Sequence, residues 1–361
     1  MKVNITQQVS PYLVFFVIYN SQVGVGILSF QRKIAEKAGY DGWIGVLIAG
    51  CLVQVLIWVM YKLLGKVNGD IIDVHNAAFG KNIGKVLSFI ILLCYILPCI
   101  SVLMEYIEII QVWMFPNVPS WVISTLILLL VYYCVSGGFR AVVGLSFLSF
   151  IFPQIFVLIL YIFPLKDAHF SNLLPIMNHS LPDMLHSIKN SLYVIYGTEA
   201  LLMFYPFIQN PDRSRKFAHL GVLFTTFLYT VSAIVSFTFY SEGQLQTSVW
   251  PELSLTKIIN FSFLERFEYL YISMYLIIVT ALISLLLWCS SRGFKKIFNI
   301  KQQHALLIIS IVCIFTSQLN NQQFRVMLDK FITPFNGYVV YVYIPLLLLY
   351  FTLFKRGHKS G

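Results

Sequence analysis

Apolar residues run through this chain in long blocks separated by short polar ones. Neither the strict alternation of half-buried strands nor the narrow stripe of a soluble amphipathic helix is present. A helix crossing an apolar layer about 30 Å thick needs about 20 residues at a rise of about 1.5 Å each. Ten segments meet that description, at approximately 11–30, 41–64, 84–114, 120–135, 139–163, 187–208, 214–241, 265–290, 304–323 and 334–354. Blocks such as Val122–Tyr133 are too long and too uniformly apolar for the short alternating strands of a membrane barrel, so the pattern predicts helices. The expected fold class is all-α and integral to the membrane, with residues 1–361 forming one transmembrane domain.

Two of the ten segments are interrupted. In the first, Asn20, Ser21 and Gln22 are followed at once by Gly24 and Gly26. An unpaired backbone group in hydrocarbon costs several kcal/mol, so polar side chains and glycines at this depth point to a broken helix. An intact helix whose glycines admit a neighbouring helix is the alternative. A broken helix exposes N–H groups from its second half and C=O groups from its first, which suit a carboxylate and a cation respectively. The sixth segment repeats the feature at Tyr196-Gly197-Thr198-Glu199, before Pro206 and the basic turn Asn210–Lys216. Glu199 is the one carboxylate far from either membrane surface. A charge at that depth costs about 3 kcal/mol, so it should face protein, be paired, be protonated or cap the second half-helix.

The interrupted segments lie five apart and run in opposite directions. Broken helices at matching positions of oppositely oriented five-helix halves predict a 5+5 inverted repeat with ten transmembrane helices, of which the first and sixth are broken. The first repeat covers about 11–163 and the second about 187–354, with the ligand held where the breaks meet. Pro98 kinks the third span and frees the carbonyl one turn earlier, near Cys94 and Tyr95, so Tyr95 and Pro98 join the lining. Thr280 is the polar residue nearest the middle of span eight. The candidate ligand-binding residues are therefore Gln22, Val23, Gly24, Val25, Gly26, Ile27, Tyr95, Pro98, Tyr196, Gly197, Thr198, Glu199 and Thr280.

Other polar positions have plainer readings. Asp41 is placed as the N-cap of span two. The stretch Lys62–Lys85 reads as a solvated basic loop, in preference to a short surface helix around Ile71–Phe79. Glu105 and Glu108 share a helical face near the end of span three and read as solvated. The segment Glu242–Leu264 carries a short helix over the mouth of the bundle, and Glu265 and Arg266 each need a partner. Spans nine and ten read as scaffold. His169, His179 and His186 have no usual zinc spacing, and no metal or cofactor is expected.

Composition agrees with a membrane protein: 58% of residues are hydrophobic, 11% are charged and mean hydropathy is +0.78. The formal charge of +10 would suit nucleic acid, but its distribution suits a bilayer instead. With both termini in the cytoplasm, sixteen of the twenty-five Lys and Arg fall on the inner side, which is the orientation the positive-inside rule favours. No cleavable signal sequence is evident. Six cysteines, all in apolar spans and with no CxxC pair, read as core residues.

The runs SPYLVFFVIYNSQVGVGILSF (10–30), DGW (41–43), GTEALLMFYPF (197–207) and FLERFE (263–268) resemble the B subunits of bacterial spore germinant receptors, over essentially the whole chain. The resemblance implies a fold like that of the amino acid–polyamine–organocation transporters, LeuT-like in its broken helices. It also implies residence in the spore inner membrane, assembly with a membrane-embedded A subunit and a lipoprotein C subunit, and sensing of a small germinant, commonly an amino acid. Two positions depart from the pattern: Gln31 stands where proline is common, and Tyr275 where tryptophan is common. A working amino acid permease of the same fold is the alternative function. An intramembrane enzyme has little support, since no HExxH and no Ser/His or paired-carboxylate arrangement sits at membrane depth.

Overall fold

The computed structural model describes residues 3–259, 261, 266–319 and 322–354. Its helices in chain order are α1 (Val14–Gln22), α2 (Phe30–Ala38), α3 (Gly42–Val67), α4 (Ile71–Trp113), α5 (Ser120–Ser136), α6 (Phe139–Ile162), α7 (Leu181–Val194), α8 (Leu201–Phe204), α9 (Pro211–Phe239), α10 (Glu242–Thr247), α11 (Pro251–Leu255), α12 (Phe267–Phe298), α13 (Gln302–Ser317), α14 (Gln322–Tyr338) and α15 (Ile344–Phe354). Among the described residues, six helical stretches are long and apolar enough to cross a membrane, and α5 and α13 are shorter apolar helices. The chain is thus an integral, multi-pass, helical membrane protein.

Helix ends follow local chemistry. Asn210 and Ser180 cap α9 and α7 with side-chain oxygens, each followed by a proline in the first turn, where a missing N–H does no harm. Asp70 and Asp73 form a capping box that starts α4 at Ile71, so the stretch read as a solvated loop is helical from Ile71 to Phe79. Gly80, at φ +77°, bends that first portion away from the span that follows. Asp41 does precede α3, but its carboxylate makes no capping bond. It accepts instead from the amides of Met177 and Asn178 at 2.8 and 2.9 Å and pairs with His179 at 2.8 Å, holding the α6–α7 connection against the start of α3.

α12 is the centre of the bundle, packed on α4, α6, α5 and α13, while α1 lies on α9 and α6, and α3 on α9 and α7. In the most apolar window of α12, 72% of residues are buried, against 28% for the stretch through α14 and α15, which lies at the edge of the bundle. Lipid tails give apolar side chains no reason to leave them, so packing and hydrogen bonds between helices hold the bundle together. At one face of the bundle the peptide before α1 pairs with the peptide after α8: Val9 donates to Phe207 at 2.8 Å and Gln209 donates to Val9 at 3.0 Å. The other face carries α10 and α11, here called the α11 face.

Candidate functional site

Helix α1 stops at Gln22. Val23 and Gly24 are extended, Val25–Leu28 form a single tight turn, and α2 starts at Phe30. Helix α7 stops at Val194, Gly197 takes φ +129°, Thr198–Ala200 form another tight turn, and α8 follows. Both interruptions therefore fall where the polar and glycine residues put them. They also touch. A Cβ on Gly197 would lie 1.8 Å from the Ser21 carbonyl oxygen, so only glycine lets the two backbones approach this closely.

The freed backbone groups are largely taken up by side chains from the surrounding helices. Tyr229 donates to the Gln22 carbonyl at 2.9 Å, and Tyr275 donates to the Gly24 carbonyl at 2.7 Å. The Gln22 side chain bridges the breaks, donating to the Ile195 carbonyl at 2.9 Å and accepting from Thr225 at 2.7 Å. Pro98 lacks the N–H that would satisfy Cys94, and the Tyr196 hydroxyl donates to the Cys94 carbonyl at 2.9 Å. Tyr95 donates to the Glu199 carbonyl at 2.9 Å.

Between the breaks and α4, α12 and α14 lies a cavity of ≈ 260 Å³. Gln22, Gly24, Val25, Gly26, Pro98, Tyr196, Gly197 and Glu199 line it. Val23, Ile27, Tyr95, Thr198 and Thr280 are buried but off its wall: Tyr95 braces Glu199 from behind, and the Thr280 hydroxyl has no partner. The first residues of the Val25–Leu28 turn are those whose N–H groups a helix leaves without intrahelical acceptors, and they face the cavity. A Cβ on Gly26 would meet only Val194, at 3.9 Å, so this wall is open.

Glu199 is 1% exposed. Its Oε2 accepts from the Gly197 amide at 3.1 Å, as a cap on the second half-helix, while Oε1 has no hydrogen-bond partner. Asn336 on α14 also lines the cavity, and neither its Nδ2 nor its Oδ1 has a partner. Buried polar atoms in such a state are uncommon.

Several wall residues carried no sequence signal, or a misleading one. Span ten, read as scaffold, begins earlier as α14 and turns Asp329, Thr333 and Asn336 toward the cavity from its position on α4 and α7. Glu105, read as solvated, lines the same wall with Lys33, while Glu108 is paired with Arg325 at 2.6 Å. Arg266 pairs with Glu268 at 2.9 Å, and Glu265 lies outside the described residues. The three histidines are dispersed: the His169 amide donates to Thr238, His179 meets Asp41, and His186 lies 4.0 Å from Glu36.

Two touching helix breaks around a small cavity define a helical membrane protein built like a solute transporter. The fold is shared with a substrate-bound, outward-open Na+-coupled sialic acid symporter (TM-score 0.69, 13% identity, covering 96% of this chain and 79% of that one). It is also shared with MhsT in complex with L-phenylalanine (TM-score 0.63, 14% identity, 96% and 89% covered). A family model described as "Spore germination protein" matches residues 8–325, and the chain belongs to that family. It is 41% identical over 349 residues to spore germination protein GerQB of Bacillus cereus, covering 96% of this chain and 97% of the relative. It is 23% identical to spore germination protein A2 of Bacillus subtilis (strain 168), covering 98% and 95%. The family resemblance read from the sequence motifs is thereby shown, and with it a permease-like membrane protein of spore germination.

Proposed function

We propose that this chain is the membrane subunit of a spore germinant receptor that binds a small germinant, an amino acid in the first instance, between its two broken helices. The ligand's carboxylate meets the N–H groups at Gly24–Gly26. Its ammonium meets Glu199 Oε1 and the carbonyl oxygens of the first break, which keep a second lone pair beside the tyrosines they already bind. What supports the reading is the cavity itself, ≈ 260 Å³ in volume, with the start of the Val25–Leu28 turn on one wall and an unpaired buried carboxylate oxygen on another. That volume lies just below the roughly 300 to 1,000 Å³ of drug-sized ligand pockets and suits a small zwitterion.

In this reading the chain has ten spans in two inverted five-helix halves, with both termini in the cytoplasm and α11 on the outer side of the spore inner membrane. A membrane-embedded A subunit and a lipoprotein C subunit complete the receptor, and the chain works without catalysis. Ligand binding draws the two breaks together and shifts the partner subunits, provided the ligand prefers the closed arrangement. A secondary amino acid transporter of the same fold is the competing reading. Purified protein in vesicles, given single radiolabelled L-amino acids, separates the two. The receptor reading expects ligand-dependent thermal stabilisation without accumulation, whereas concentrative uptake by this chain alone would overturn it.

A further inference from the structure

Helix α11 is five residues long and packs on the Val25–Leu28 turn, on α2 and on α9. Its Glu252 is 1% exposed and is held by neutral donors from four different helices. Gln31 of α2 donates from Nε2 to Oε2 at 3.0 Å, and the Ser232 hydroxyl of α9 donates to the same oxygen. Tyr161 of α6 and Tyr271 of α12 donate to Oε1 at 3.3 and 3.2 Å. Gln31 is itself fully buried, and its Nε2 also lies 3.0 Å from the Ile27 carbonyl and 2.8 Å from Ser232 Oγ. One amide nitrogen thus ties the end of the first helix break to the carboxylate under α11.

Gln31 stands four residues after Ile27, in the first turn of α2. Proline at 31 would leave the Ile27 carbonyl without its helical donor, four residues on. Glutamine reaches that carbonyl with its side chain and adds a bond proline cannot make, to Glu252. A buried carboxylate without a cation is a costly way to fasten a helix, and well-packed apolar residues commonly do so at least as well. What the carboxylate adds is direction: it fixes where the Gln31 amide points, and hence where the Ile27 end of the cavity-lining segment sits.

We propose that Gln31 and Glu252 are positioning residues that couple the Gly24–Ile27 segment to α11, so that the ligand-binding backbone and the helix covering it move as one unit. The inference deepens the ligand-site reading above and rests on it for its functional meaning, but the mechanical coupling can be measured without ligand. Hydrogen–deuterium exchange on the purified full-length protein is compared for wild type, Gln31→Met, Glu252→Gln and the double variant. Both single changes keep the side-chain length, so folding is retained, and melting temperature checks that it is.

At pH 8, where Glu252 is ionised, each single variant is expected to speed exchange at least about tenfold in both the 25–29 and the 251–258 peptides, as loss of a hydrogen bond to a charged group does, with α13 unchanged. The double variant should be no faster than the worse single one, because both remove the same link. Faster exchange in α11 alone, unchanged exchange at 25–29, or effects that multiply in the double variant would each overturn the coupling. In parallel, an equimolar mixture of the common L-amino acids serves as the ligand probe. If it fails to stabilise wild type, the amino acid reading falls and the exchange result still decides the coupling.

Discussion

At Gly197 the two interrupted helices come closer than any side chain allows, and the substitutions with the clearest expected outcomes lie within a few residues of it. Gly197→Ala would set a methyl against the Ser21 carbonyl at a φ that L-residues avoid, a cost of about 3 kcal/mol or more, seen as a lower melting temperature and reduced yield. Gly26 is the opposite case, since a Cβ there would meet only Val194, in ordinary contact at 3.9 Å. Gly26→Leu should fold normally and fill the cavity, so germinant response is lost while the melting temperature stays; a wild-type dose response would remove Gly24–Gly26 from the binding site. Glu199→Gln keeps the oxygen that accepts from Gly197 but gives up the charge. If the carboxylate holds the ligand's ammonium, response should fall by about tenfold or more. If it only caps the half-helix, response will be unchanged at every pH.

Among the elements, α11 should report its own ionisation. Burial pushes the Glu252 carboxyl up to about 7 from an ordinary 4.5, with Ser232, Tyr271, Tyr161 and Gln31 opposing. The ionisable groups around it are the hydroxyls of Tyr161 on α6, Tyr271 and Tyr275 on α12, Tyr229 on α9 and Tyr19 on α1. The folded protein holds this proton more tightly than the unfolded chain. The resulting stability is complete below the unfolded value and is lost as pH rises through about 7. Melting temperature should therefore fall between pH 5 and 8 more steeply in wild type than in Glu252→Gln, by a difference of up to roughly 3 kcal/mol. Parallel curves would mean that Glu252 does not titrate in this range. The same element shows how far sequence reaches: a short helix near Trp250-Pro251 is legible from its composition, but nothing local says that its carboxylate is met by four other helices. Span ten teaches the converse. Its apolar stretch marks it as a span, yet the cavity-facing side runs over the turns from Asp329 to Asn336, where charged and polar residues dilute the apolar block.

For the whole molecule, the proposed inverted arrangement with both termini in the cytoplasm makes a prediction about sidedness. Arg213, at the start of α9, and Gln244, in α10, sit at opposite ends of the same long helix and its continuation, and both are exposed. With the exposed native Cys51 replaced by serine, a membrane-impermeant maleimide added to sealed cells should label Gln244→Cys and spare Arg213→Cys. Labelling of Arg213→Cys alone would reverse the proposed orientation.

The amino-acid sequence by itself determined that this chain crosses a bilayer as helices, that two of those helices are interrupted, and to which family the chain belongs. Each follows from local facts: block length against membrane thickness, glycines beside polar side chains at depth, and short diagnostic runs. Which groups answer the interruptions was decided only by the tertiary structure. The hydroxyls of Tyr229 and Tyr275 on the freed carbonyls, Asp41 turned from a helix cap to a loop clamp, and Gln31 reaching Glu252 all depend on which helices become neighbours. Helical periodicity says which face of a helix is buried, but not what the face will meet.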